Sequence, residues 1–225
     1  MERWEWLIED RAGIFQDPSL GCFTEDSIAL VHFLHMHPGD SVLDLGTGNG
    51  VLSLYAQALY GGTFTGVDTD AAQIALAQRS AERNGQPIRF LCMRAEDAPD
   101  TLGHGMFERV IMNPPYFTQG DAGKREMARH ADERQLFDWC RAAFLLLNNG
   151  GTLTLCYPVE RLAALFRALD ENRLAPKRTE LLLSGQRARL ALVEAKKLGA
   201  DGLTVTVRQT KRTPPPASDR MGTLV

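Results

Sequence analysis

Short apolar runs rich in β-branched residues alternate along this chain with longer segments in which apolar positions recur every three or four residues. The strand-like runs fall at residues 41–45, 63–67, 88–93, 109–112, 152–157, 177–183 and 188–195. Their nearly continuous hydrophobicity is that of strands buried on both faces. Helical period predicts helices over 51–60 and over 71–84, the second carrying Ile74, Ala77 and Ala81 on one face and Asn84-Gly85 as its stop. Two more are predicted over 134–147, where Leu136, Phe137, Cys140, Phe144 and Leu147 line one face, and over 159–172 through Leu162, Leu165, Phe166 and Leu169. Residues 97–105 hold a proline and two glycines and predict mostly loop.

This alternation predicts an α/β fold, a Rossmann-like doubly wound sheet of seven mostly parallel strands with helices on both faces. Only Ser184-Gly185-Gln186-Arg187 separates the last two strands, so they are expected to form an antiparallel hairpin at the sheet edge. Residues 41–212 are read as the main domain and 1–40 as an N-terminal segment of that same domain. Residues 213–225, opening on Thr213-Pro214-Pro215-Pro216, read as a flexible tail. A polar, glycine-containing insertion at 118–133 follows the fourth strand, and insertions of that length in a compact domain tend to be functional.

Composition narrows the classes of function. With 225 residues, 44% hydrophobic and 24% charged, the chain can bury a large core. A formal net charge of -3 supplies no overall attraction to phosphate backbones, so any nucleic-acid contact must be local. Cys22, Cys92, Cys140 and Cys156 include no C-x-x-C pair, which argues against a zinc site or a disulfide framework. No run of 18 apolar residues and no apolar leader occurs, and the expectation is a soluble, cytoplasmic protein. His32, His35 and His37 do not share one helical face and read as surface histidines rather than metal ligands. Trp4 and Trp6 read as a hydrophobic anchor for the N-terminus.

Candidate chemistry begins at Asp44-Leu45-Gly46-Thr47-Gly48-Asn49-Gly50, where a buried strand and an acid run into three alternating glycines before a helix. Glycine lets such a loop turn tightly and approach a ligand. Asp68 follows 22 residues after Gly46 at the end of the second strand, where an acid reaches ribose hydroxyls. A pyrophosphate would favour a third glycine at the helix start, which is lacking, and the Asp44 carboxylate would repel it. An amino-bearing or cationic nucleoside suits the loop better. At the end of the fourth strand stands Asn113-Pro114-Pro115-Tyr116. The prolines stiffen the loop, the Asn113 side-chain oxygen and the Pro114 carbonyl can accept both hydrogens of an amino group, and Tyr116 offers a face for stacking a planar group.

With these motifs the chain resembles the class I methyltransferases of the N-P-P-Y type over about residues 12–205. Within that group it is similar to the bacterial valine-tRNA adenine N6-methyltransferases. The closer likeness is carried by residues 23–30, Asn84-Gly85, Asn113-Pro114-Pro115-Tyr116-Phe117, Ala128-Arg129-His130 and residues 192–197. The resemblance implies S-adenosylmethionine as cofactor, with Gly46, Thr47, Gly48 and Gly50 around its methionine part and Asp68 on its ribose. It implies that Thr24 and Asp26 close the site from the N-terminal side. Where such enzymes often carry an acid and a small residue against the adenine, this chain reads Met93-Arg94-Ala95-Glu96-Asp97, so that contact stays open among Ala95, Glu96 and Asp97.

The implied product is N6-methyladenosine in tRNA, with RNA bound by a local basic surface. Arg187, Arg189, Lys196, Lys197, Arg208, Lys211 and Arg212, with Lys124, Arg125 and Arg129 of the insertion, would form it if they share a face. A protein glutamine or a ribosomal RNA amino group would satisfy the same tetrapeptide, and a non-catalytic module that binds the cofactor or RNA is the alternative outside enzymes.

Overall fold

The computed structural model describes residues 2–20, 23–114 and 122–210, with backbone alone for 122–132. Strands β1 (Arg3–Ile8) and β2 (Ala12–Gln16) lead into helix α1 (Glu25–Phe33), β3 (Ser41–Leu45), α2 (Val51–Tyr60), β4 (Thr63–Asp68), α3 (Ala71–Asn84) and β5 (Arg89–Cys92). A single turn at Ala95–Asp97 and the short helix α4 (Ala98–Leu102) follow, then β6 (Phe107–Met112), α5 (Ala122–Leu146), β7 (Leu147–Pro158), α6 (Leu162–Glu171), β8 (Leu174–Ser184), β9 (Arg187–Lys197) and β10 (Thr204–Gln209).

Eight strands form the main sheet in the order β10-β8-β9-β7-β6-β3-β4-β5. Only β9 runs against its neighbours, antiparallel to β7 and β8. One face buries Leu30 and Val31 of α1, Leu52 and Leu54 of α2, and Ile74, Ala77 and Ala81 of α3. The opposite face buries Leu136, Trp139, Cys140 and Leu146 of α5, and Leu165 and Leu169 of α6. Helices on both sides of a mostly parallel sheet make this the expected doubly wound fold.

Several features depart from the expected outline. The sheet has an eighth strand, β10, which pairs in parallel with β8, so the β8–β9 hairpin lies inside the edge rather than at it. Thr204-Val205-Thr206-Val207 is the β-branched run that carries it, and Val205 and Val207 are exposed, so pairing with β8 rather than core packing holds it. The insertion is helical from residue 122, where it extends α5 by more than three turns ahead of the predicted start. Of the expected buried face of α5, Leu136 and Cys140 are buried, as is Leu147 at the start of β7, whereas Phe137 and Phe144 are only half-buried and Trp139, Ala143 and Leu146 complete the face.

A further departure is the hairpin of β1 and β2, a separate two-stranded sheet. It lies along α3, to which it is tied by Gly13 N–H donating to Asn84 Oδ1 (2.9 Å) and Phe15 N–H donating to Ser80 Oγ (2.9 Å). Helix α3 is firmly bounded for this purpose: Asp70 accepts from the backbone N–H of Ala72 and Gln73 at its start, and Gly85 takes the left-handed conformation at its end. Trp4 stacks edge-on with Phe15 under the Arg83 guanidinium, which makes it the expected anchor, while Trp6 is exposed.

Gly13 is the point where this anchor depends on the absence of a side chain. A Cβ there would run into the Trp4 ring and come within 2.8 Å of the Glu5 carbonyl oxygen. Gly13→Ala is expected to cost about 1–3 kcal/mol of unfolding free energy through overpacking. Urea unfolding followed by tryptophan fluorescence checks this, and an unchanged midpoint would show that the hairpin contributes nothing to the folded core.

Candidate active site

Strand β3 hydrogen-bonds to β4 on one side and β6 on the other, and the chain reverses its direction of travel across the sheet at this point. The crevice beyond the carboxyl ends of such strands is where open α/β sheets bind ligands. Leu45 pairs with Val67 and with Met112, so Gly46, Asp68 and Asn113 all leave the sheet at one level. Gly46, Val67, Asp68, Thr69, Met93, Ala95, Asn113, Gln135 and Trp139 line a cavity of about 300 Å³ there, at the lower end of the range for small-molecule sites.

The glycine loop is held by its own backbone. The N–H groups of Gly46 and Thr47 both donate to the Val67 carbonyl (2.9 Å each), and Gly50 N–H donates to the Thr47 carbonyl (2.9 Å). Gly46, Gly48 and Gly50 have φ of 73°, 54° and 85°, the left-handed region that side chains with a Cβ disfavour. At Gly46 space is also decisive, since a Cβ would lie 2.6 Å from the Trp139 ring. The indole from α5 therefore rests directly on the loop.

Asp44 and Asp68 hold this loop from below and beside. The Asp44 carboxylate is fully buried; its Oδ2 accepts from the hydroxyls of Thr47 (2.7 Å) and Ser53 (2.8 Å), and its Oδ1 is buried with no hydrogen-bond partner among the described residues. Burial pushes its pKa up to about 6, against the hydroxyl hydrogen bonds that pull it down. Asp68 accepts from Gly48 N–H through Oδ2 (2.8 Å) and from Asp70 N–H through Oδ1 (2.9 Å). A half-buried carboxylate at the pocket wall keeps one lone pair on each oxygen for a ligand's hydroxyls.

On the other side of the cavity, Asn113 is half-buried and Pro114 buried. The Asn113 Nδ2 donates to Ser27 Oγ of α1 (3.3 Å), and its Oδ1 accepts from the Cys156 thiol of β7 (3.0 Å). Pro115 and Tyr116 lie outside the described residues. Thr24 is exposed and caps α1 without a side-chain hydrogen bond. Asp26, on the first turn of α1, makes a two-pronged ion pair with Arg189 of β9 (3.1 and 2.5 Å). Of the residues weighed for an adenine contact, Ala95 lines the cavity, and Glu96 faces Arg94 at 3.4 Å.

Sequence reasoning did not single out Trp139, Gln135, Thr69, Ser27 or Cys156. Trp139 had a signal: it stands three residues after Leu136 and next to Cys140, on the apolar stripe of α5. Thr69 also had one, since it directly follows Asp68 at the end of β4, while Gln135, Ser27 and Cys156 carry none, because their approach to the site depends on how α5, α1 and β7 are arranged in space.

The described members of the basic set, which would bind RNA if they shared a face, stand on β9 and β10. Arg187 is exposed at the β8–β9 turn, while Arg189 and Arg208 are paired with Asp26 and Glu180. Lys196 and Lys197 stand at the far end of β9, where Lys197 donates to the Leu147 carbonyl (2.6 Å). Lys211, Arg212 and the side chains of Lys124, Arg125 and Arg129 lie outside the described residues. His32 meets the Tyr55 hydroxyl (3.0 Å) and His37 the Arg109 guanidinium (3.1 Å), and no group of three potential metal ligands occurs among the described residues. No helix among them is long and apolar enough to cross a membrane.

Comparison with known proteins identifies this arrangement. Residues 5–157 match the profile of the methyltransferase small domain. The chain belongs to the methyltransferase small domain family. A relative from Vibrio campbellii, named tRNA1(Val) (adenine(37)-N6)-methyltransferase, is 31% identical over 138 residues, 60% of this chain and 57% of that one. A protein of the same name from Shewanella amazonensis is 27% identical over 190 residues, covering 81% and 78%. The crystal structure of TrmN from Thermus thermophilus superposes on this methyltransferase small domain with a TM-score of 0.60 at 27% identity, over 76% of this chain and 48% of that one. The resemblance drawn from the motifs is borne out at the level of the family and its fold.

The raised pKa of Asp44 has a measurable consequence. In the folded protein Asp44 holds its proton up to about pH 6, whereas the unfolded chain releases it near 3.8, so the contribution of this group favours folding most below pH 4 and is lost as pH rises through 6. Asp44→Asn keeps an acceptor for the two hydroxyls and cannot ionise. It is expected to be more stable than the parent above pH 7 by about 1–3 kcal/mol, the difference vanishing near pH 4. Urea titrations of the two proteins at pH 4 and pH 7.5 check this; a variant less stable than the parent at pH 7.5 would contradict it.

Proposed function

We propose that this chain is an S-adenosylmethionine-dependent N-methyltransferase that forms N6-methyladenosine in tRNA. The observation that carries the reading is that Asn113 lines the same cavity as Gly46 and Asp68, so an amino group held by Asn113 lies beside a nucleoside held by the loop. The residues present fit that cofactor. Asp68 suits a ribose diol, Ala95, Met93 and Thr69 flank a planar base, and the buried, unpartnered Oδ1 of Asp44 beneath the glycine loop suits an amino-bearing methionine moiety. The names of the Vibrio and Shewanella relatives favour tRNA as substrate. This chain spans only 57% of the first of these, so the substrate is assigned by proposal.

When bound, S-adenosylmethionine supplies a methyl group activated by a positively charged sulfur. Asn113 Oδ1 and the Pro114 carbonyl then accept the two hydrogens of the target amino group and orient its lone pair. As the nitrogen becomes positive, those two oxygens stabilise it more than they stabilised the neutral amine, which accelerates the transfer. Tyr116 is assigned to stacking on the target base by its place in the motif, and a base inside folded RNA must be unstacked to reach it. Residues 1–40 act as part of the same domain as 41–212, closing the site from the N-terminal side; the support for this runs through Asp26 and Ser27 on α1. Cytoplasmic location follows from a tRNA substrate.

Incubation of the full chain with methyl-labelled cofactor and total tRNA is expected to give label recovered as N6-methyladenosine. Asn113→Ala is expected to lower the rate by about 100-fold or more, as removal of a donor or acceptor at a developing charge commonly does. Label found instead in a protein fraction would move the reading to a glutamine amide. No label in any RNA or protein would overturn the enzyme assignment.

A further inference from the structure

Asn113 reaches its place through two contacts that the tetrapeptide does not itself supply. In the parallel pairing of β6 with β7, Ile111 stands opposite Thr154 and Met112 opposite Leu155, so the next pair in register is Asn113 and Cys156. Paired residues of neighbouring strands project to the same face. The Cys156 side chain, fully buried, therefore points the same way as Asn113, toward α1, and its thiol donates to Asn113 Oδ1 at 3.0 Å. From α1 the Ser27 Oγ, also buried, accepts from Asn113 Nδ2 at 3.3 Å. The Asp26–Arg189 pair, one residue earlier on the helix, fastens α1 to β9 and so holds Ser27 at this distance.

We infer that Cys156 and Ser27 are positioning residues that set the rotation of the Asn113 carboxamide, presenting its oxygen as the acceptor for the amino group to be methylated. The inference rests on the N-methyltransferase reading. An asparagine amide turned by half a revolution has nearly the same shape but offers N–H donors where an acceptor is needed, and donors would repel the hydrogens of an amine. One lone pair of Oδ1 receives the thiol proton, and the second is left for the substrate. A thiol is a weak donor, so it orients the oxygen without strongly depleting its capacity to accept. Burial pushes the Cys156 pKa upward, so the proton remains in place at physiological pH. That protonated state also makes Cys156 a poor nucleophile, which fits an orienting group.

The test compares Cys156→Ala, which removes the donor, with Cys156→Ser, which keeps one. Cys140→Ala serves as a control for losing a buried thiol, since Cys140 lies on the opposite face of the sheet in the other half of the core. Single-turnover methyl transfer to tRNA and calorimetric binding of the cofactor are measured on the full chain. Cys156→Ala is expected to slow transfer by about 3- to 10-fold, the scale of one neutral hydrogen bond, with cofactor affinity unchanged and with Cys156→Ser recovering to within about twofold.

Infrared difference spectra of the S–H stretch give a second readout that needs no activity. The band lost in Cys156→Ser is expected at lower frequency than the band lost in Cys140→Ala, and it should rise when Asn113 is replaced by alanine. Transfer by Cys156→Ala at the parent rate, or a serine variant as slow as the alanine one, would overturn the inference. If the parent chain transfers no methyl group, the N-methyltransferase reading falls, and a thiol band indifferent to Asn113 would sink the positioning role separately.

Discussion

The site depends above all on the parallel register of β3 with its two neighbours. Because Leu45 is level with both Val67 and Met112, the three chains leave the sheet together, and a glycine loop, an acid and an asparagine that are far apart in sequence line one cavity. A slip of one residue in either pairing would turn Asp44 or Asn113 to the opposite face of the sheet. Register is secured by burial: Val42, Leu43 and Leu45 are wholly inaccessible and belong to cores on opposite faces, so a slip would exchange those apolar contacts for buried polar ones.

Within that frame the helices act as clamps. Trp139 of α5 rests on Gly46 so closely that no other residue type fits beneath it, which couples the shape of the loop to the packing of the helix that follows the Asn113 motif. Helix α1 approaches from the other face and touches Asn113 through Ser27, while Asp26 engages Arg189. That ion pair is partly open to solvent on the arginine side, so its value lies more in fixing where α1 sits than in adding much stability. Asp44 works in the opposite sense. Its buried carboxylate costs stability at neutral pH and is retained beneath the loop, an arrangement more often met at functional sites than in plain cores.

The N-terminal hairpin and the strand β10 extend the sheet system in ways that matter less to the chemistry. The hairpin braces α3 through Asn84 and Ser80, and Asn84-Gly85 thus ends a helix and receives a neighbouring strand at once. Strand β10 covers the outer edge of β8 and leaves the β8–β9 turn, with Arg187, at the same end of the sheet as the candidate site.

The alternation of strands and helices from β3 through β9, the doubly wound class, the glycine loop, Asp68 and the Asn113 motif were legible in the sequence, because each is written in contiguous residues: buried strands as apolar runs and tight turns as glycines, whereas the N-terminal hairpin, α1 and the short α4 were not read. Strand β10 was not read either, although Thr204-Val205-Thr206-Val207 is a β-branched run, because it is short and faces solvent rather than a core. The buried face of α5 was legible in part: Leu136 and Cys140 lie on it, but Phe137 and Phe144 are only half-buried and Trp139 takes a central place on it. The contacts of Asp26, Ser27 and Cys156 were decided by tertiary structure alone. Each owes its place to a partner between 86 and 163 residues away or on an adjacent strand, and no local pattern encodes a contact made only when α1, β6, β7 and β9 come together.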